Sequence, residues 1–304
     1  MDNIISLDAI ARREYWVEEI RKLSGNFGSD TERLERELTG EISEQGIPAL
    51  IDHVRLCGSI PESYGHDTSE EKLYSKYTDS LLCLSYKSLG LRSLVLKERA
   101  DAADVEAFAP GYSFVADAKA FRLSRTAKNQ KDFKVMAMVG WQRGKDYAMV
   151  VCPIYQLPNN ASQIYQQATT HNICIFTYSH LALLLNFSIA QGPEAAAALL
   201  HEIFKVLPAT NPTKSSSEYW LTINRIMINF SPTVRELWAI EKSASAESIV
   251  IAKEEALTFL AKERERIMRM SHEEALIELI KVQKIDSKIR IISAIADNGL
   301  FTIN

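Results

Sequence analysis

Hydrophobic positions recur at helical spacing over the first sixty residues. IARREYWVEEIRKL and the stretch 31–38 are amphipathic and rich in charge, which predicts helices there. PESYGH at 61–66 reads as a loop. Thr68-Ser-Glu-Glu71 follows as a capping box, opening a helix whose Leu73, Tyr77, Leu81 and Leu84 form one stripe that closes near Gly90. From residue 91 the period changes. Segments around 102–108, 112–123, 146–153 and 172–178 have strand character, with helical patterns at 124–142, 160–170 and 180–190 between and after them. Strands alternating with helices predict an α/β fold, a mixed β-sheet flanked by helices. An Ala-rich helix at 193–206, a turn-rich run at 208–220 and charge-laced helices with a second capping box at Ser271–Glu274 complete the chain. The expected organisation is a helical N-terminal region (1–60), an α/β core (61–192) and a mainly helical C-terminal region (193–304).

Composition narrows the class. At 304 residues, 46% apolar and 24% charged, the chain has the makeup of a globular protein with one good core. No apolar run reaches the roughly 18 residues of a membrane span. The opening MDNIISLDAIARREYW lacks the apolar stretch of a signal peptide. Cys57, Cys83, Cys152 and Cys174 lie far apart, without metal-ligand spacing, so reduced buried thiols in a cytoplasmic protein are expected. A net charge of −4 argues against indiscriminate polyanion binding. Lys119–Lys134, however, holds six basic residues against the single acid Asp132, a local field that suits phosphate.

That basic run continues directly from a strand. In VADAKAFRLSRTAKNQKDFKV (115–135), Asp117 and Lys119 are two apart and share a strand face. Asp104, thirteen residues upstream, can supply a second carboxylate from an adjoining strand or turn. Two carboxylates holding Mg²⁺ with a lysine beside the attacking water suit phosphodiester hydrolysis. The pattern Asp104–x12–Asp117–x–Lys119 is that of the PD-(D/E)xK nucleases, with Ala103 where the general motif has proline. Glu70–Lys72, Asp132–Lys134 and Asp286–Lys288 also fit acid-x-lysine, but in predicted helices or loops, so strand context singles out Asp117. Glu71 has two readings, a helix cap and a third acid near the metal. Arg125 and Asn129 are four apart and would share a helical face with Lys128 beside them, where Arg and Asn suit base edges and Lys suits phosphate. Phe133, Ala137 and Trp141 would anchor that helix. His171 and His180 lack partners at metal spacing and read as capping or core residues.

The long run LSRTAKNQKDFKV, with EKLYSK at 71–76, KDYA at 145–148, SQI at 162–164 and HLA at 180–182, resembles the HindIII family of type II restriction endonucleases across most of 68–185. The resemblance implies a restriction-endonuclease-like fold and a homodimer that uses Mg²⁺. It also implies cleavage of double-stranded DNA at AAGCTT after the first A, leaving 5′ overhangs, and a separate methyltransferase that protects host DNA. Asp104, Asp117 and Lys119 match the family's catalytic acids and lysine, with a slightly shorter spacing between the aspartates. Arg122, Ser124, Arg125, Lys128, Asn129, Gln130 and Lys131 are the candidate DNA contacts. A structure-selective repair nuclease on this fold and a non-enzymatic DNA-binding protein are the rival readings.

Overall fold

The computed structural model describes residues 3–96, 102–125, 130–158 and 161–294, with Gln130 and Lys131 by backbone alone. The chain groups into two compact units, Met1–Ala256 and Leu257–Asn304. The first unit opens with helices α1 (Leu7–Arg21), α2 (Phe27–Leu56) and α3 (Ser69–Ser88). Strands β1 (Arg92–Val95), β2 (Val105–Ala109) and β3 (Tyr112–Ala118) follow. Next come α4 (Gln130–Phe133), α5 (Val135–Trp141), β4 (Tyr147–Cys152), α6 (Gln163–Thr170) and β5 (Ile173–Thr177). Helices α7 (Tyr178–Gln191), α8 (Pro193–Ala209), α9 (Ser216–Phe230) and α10 (Pro232–Met268) come after the sheet. The second unit takes in the end of α10 from Leu257, α11 (His272–Val282) and α12 (Ile285–Ser293). No described helix is long and apolar enough to cross a membrane.

The five strands form one mixed sheet in sequence order. β1, β2 and β3 are antiparallel neighbours, and β3, β4 and β5 run parallel. The parallel strands YAMVVC and ICIFT are almost wholly buried, as strands covered on both faces must be. β1, by contrast, alternates exposed and buried positions on the sheet edge. Four residues of half-polar edge strand carry too little periodicity to be read from sequence, and β1 was not expected. α7 is mostly apolar and lies in the core over most of its length.

Local chemistry explains the helix ends. Thr68 caps α3 by accepting from the Glu71 amide at 3.4 Å, but the Glu71 carboxylate reaches the Asp67 amide at 2.7 Å, one residue before the position of a regular capping box. The box at Ser271 and Glu274 is complete in both directions. α2 is broken at Gly46, where φ is 77°, just before Pro48, which has no amide hydrogen to donate. The single helix expected over 124–142 is two short ones, divided at Lys134, where φ is 48°. That break rotates the buried face, so Phe133, Val135, Met138 and Trp141 pack inward and Ala137 is exposed. The expected loop at 208–220 shrinks to the short connection between α8 and α9.

Beyond β3 the chain remains extended and tied down. The Lys119 amide donates to Val151 O at 2.8 Å, and Phe121 pairs in parallel with Ser59. The Phe121 amide donates to Gly58 O at 3.1 Å and the Ile60 amide to Phe121 O at 3.2 Å. A side chain at Gly58 would place its Cβ 2.8 Å from Pro153 Cβ, so only glycine permits this approach. Arg13 of α1 backs the same segment. Its buried guanidinium donates to Leu56 O, Ser59 O and Tyr74 Oη and pairs with Glu255 at 2.6 Å.

Candidate active site

The β2–β3 register brings the two predicted acids together. Val105 lies opposite Ala116, and the Asp104 amide, just before β2, also donates to Ala116 O at 3.1 Å, which brings Asp104 to the end of β3 that carries Asp117, and both line one cleft. The two carboxyls act on each other's charge across the cleft. Lys119 forms an ion pair with Oδ2 of Asp117, an oxygen that is buried and has no hydrogen bond of good geometry.

The acids and the lysine line a cleft of about 420 Å³. α3 contributes Glu71, Ser75 and Asp79, four residues apart and therefore on one helical face. Asp79 is buried and paired with Lys76 at 3.2 Å. Arg125, Asp132 and Lys134 complete the polar lining. Asp79 was not singled out from sequence. Its signal was a lone acid between Thr78 and Ser80 in a mixed stretch, which looks like an ordinary solvated position until the helix is docked.

Burial sets the protonation of the acids. It raises Asp104, with the charge of Asp79 and the hydrogen bond to Asp117 adding to the effect. Burial acts the same way on Asp117, but the Lys119 ammonium and the hydrogen bond from Asp104 outweigh it, so Asp117 is held low. Burial also raises Asp79, against the opposing charge of Lys76. The two carboxyls are thus driven apart, Asp104 upward and Asp117 downward.

A sign follows for stability. A carboxyl raised in the folded state binds a proton that the unfolded chain has lost, so its contribution is greatest below the ordinary carboxyl pKa of about 3.9 and declines as pH rises. Asp104→Asn removes that titration. In chelator, its melting temperature is expected to exceed that of the wild type, by a margin that widens from about pH 5 to pH 8. Thermal denaturation across that range measures this, and a margin that narrows with rising pH contradicts it.

A buried carboxylate oxygen met only by the Lys119 ammonium, beside a second carboxyl, is a hard-oxygen donor set of the kind that suits Mg²⁺. His66, Asp67 and Glu71 form a separate group whose ligand atoms lie within 4.8 Å of one another, with His66 and Asp67 exposed. Glu71 lines the cleft, yet its oxygens are engaged by the Asp67 amide and, at 3.2 Å, by Arg122.

The predicted DNA contacts separate. Arg122 donates to Tyr64 O at 2.7 Å and Gly65 O at 2.8 Å and so pins the loop before α3. Ser124 is held by Glu62 through its amide and hydroxyl. Arg125 reaches the cleft, pairs with Asp132 at 2.5 Å and lies over the Phe121 ring, on non-helical backbone. Lys128 and Asn129 lie outside the described residues, and the side chains of Gln130 and Lys131 do too. His180 is a buried structural residue. It bonds Thr177 Oγ1 at 2.7 Å and Asn224 Oδ1 at 3.0 Å, and burial lowers it to about 4. The four cysteines are buried and free.

Comparison with known proteins gives the same direction. The sequence profile of the HindIII restriction endonuclease family matches residues 13–296. The type II restriction enzyme HindIII of Haemophilus influenzae (strain ATCC 51907 / DSM 11121 / KW20 / Rd) is 35% identical over 257 residues, covering 81% of this chain and 83% of that protein. The acid–lysine cluster lies within the matched region, and the chain belongs to the HindIII restriction endonuclease family.

Proposed function

We propose that the protein is a type II restriction endonuclease that hydrolyses double-stranded DNA at AAGCTT, after the first A, leaving 5′ overhangs. The observation that carries the chemistry is the convergence of Asp104 and Asp117 in one cleft, with Lys119 beside them. Family membership supports the substrate and its site specificity.

Asp104 and Asp117 would hold Mg²⁺, which when bound supplies charge neutralisation at the scissile phosphate and a more acidic water. Lys119 orients the attacking water and offsets charge in the transition state. Asp79 and Lys76 form a neutral pair behind the acids and keep that wall of the cleft rigid. Glu71 acts through Arg122, holding the loop 62–66 in place. Arg125 and the segment 126–131 contact DNA. In this reading residues 61–192 form the nuclease core of a cytoplasmic enzyme, with helical regions 1–60 and 193–304 attached.

A palindromic target suits a twofold homodimer, one subunit per half-site. α11 and α12 bury none of their own residues, and Ile277, Ile280, Ile289 and Ile292 are exposed on them, which favours the C-terminal region as a surface for a second copy. A methyltransferase that modifies the same hexamer would protect host DNA without binding this protein.

Digestion of a mixed-sequence plasmid with Mg²⁺, followed by sequencing of the ends, tests the reading. Discrete fragments beginning 5′-AGCTT are expected. Smears, cleavage confined to junctions, or intact plasmid would overturn it.

A further inference from the structure

The reaction just proposed leaves one cation of the cleft without a role. Lys76 is paired with Asp79, Lys119 with Asp117 and Arg125 with Asp132. Lys134 lines the same cleft, and no carboxylate among the described residues forms an ion pair with it. Its ammonium lies 5.2 Å from the centre of the Trp141 ring, and its charge acts on Asp117 across the cleft.

The backbone at Lys134 is equally informative. With φ 48° and ψ 28°, it adopts the left-handed conformation that glycine and asparagine accept and lysine adopts at a cost. Buried Phe133 and Val135 on either side fix the chain, and the turn between them breaks a helix that sequence periodicity would have continued. A residue ill suited to its conformation, kept where it brings an unpaired cation into a cleft, is strain placed at a site of use. The anion that this cleft would admit under the endonuclease reading is a phosphodiester. An approaching diester meets Asp79, Asp104 and Asp117, and Lys134 is the charge free to receive it.

We infer that Lys134 is a phosphate-binding residue, whose ammonium takes a non-bridging oxygen of the DNA diester being cut. The inference rests on the endonuclease reading above. Lys134→Asn and Lys134→Gly preserve the backbone conformation and remove the charge, whereas Lys134→Arg keeps the charge. The measurements are single-turnover cleavage of a hexamer duplex with Mg²⁺, duplex binding in Ca²⁺ over a salt series, and thermal denaturation.

The Asn and Gly variants are expected to cut roughly 100-fold more slowly and to bind with a log–log salt slope shallower by about one. Their melting temperatures should equal or exceed that of the wild type. Lys134→Arg should retain the wild-type slope. Wild-type cleavage by Lys134→Asn, a slope unchanged in that variant, or equal losses in the Arg and Asn variants would overturn the inference. Failure of the wild type to cut any duplex sinks the endonuclease reading itself, so the two failures are distinguishable.

Discussion

Asp117→Asn is expected to abolish metal-dependent cleavage, lowering the single-turnover rate by about 10³-fold or more, since several kcal/mol of charge stabilisation are removed. The substitution preserves shape and removes the charge around which the site is built. Asp117 is the acid held low by the Lys119 ammonium, while burial drives Asp104 upward. The amide would leave the cation with one anionic ligand and Lys119 without its counter-charge. Hexamer binding should persist, because Arg125 and the segment 126–131 are untouched. Quantitative cleavage alongside duplex binding measures both. Cleavage at wild-type rate would remove Asp117 from the site, and loss of binding in parallel with cleavage would make its role structural.

Arg13→Ala is expected to destabilise the fold by about 3 kcal/mol, because it leaves buried acceptors unsatisfied and removes the buried end of an ion pair whose other partner, Glu255, is half-buried. Arg13 is buried and bonded to two carbonyls, a tyrosine hydroxyl and Glu255, and alanine would strand those acceptors. The effect reaches the site through a short path. Ser59 pairs with Phe121, two residues past Lys119. Arg13→Lys should recover only part of the loss, because an ammonium cannot span the fork of acceptors that a guanidinium bridges. Urea denaturation followed by circular dichroism checks this. A loss under about 1 kcal/mol would place Arg13 among the ordinary surface residues.

The part of the site carried by one strand was legible in the sequence. Asp117 and Lys119 stand two apart on an alternating apolar stretch, and Asp104 lies a hairpin's length upstream. Those relations are local, and the β2–β3 hairpin brings the three residues to one cleft. Asp79 was not legible, because an acid becomes a site residue only when its helix docks against the strands, and no spacing rule encodes that contact. The helix expected across Arg125 and Asn129 failed for a related reason. The break at Lys134 is imposed by buried neighbours on both sides rather than by a glycine or proline. Arg122 and Ser124 read as outward-facing charge and hydroxyl in sequence, yet their partners lie 51–62 residues away in the loop and helix before β1. The edge strand β1 was too short and too polar on one face to be seen at all.

Anomalous scattering from Mn²⁺ in crystals with an uncut hexamer duplex asks most directly whether Asp104 and Asp117 ligate a common cation. The account predicts a peak at about 2.1 Å from an oxygen of each carboxylate. A peak confined to His66, Asp67 and Glu71, or none in the cleft, would contradict it.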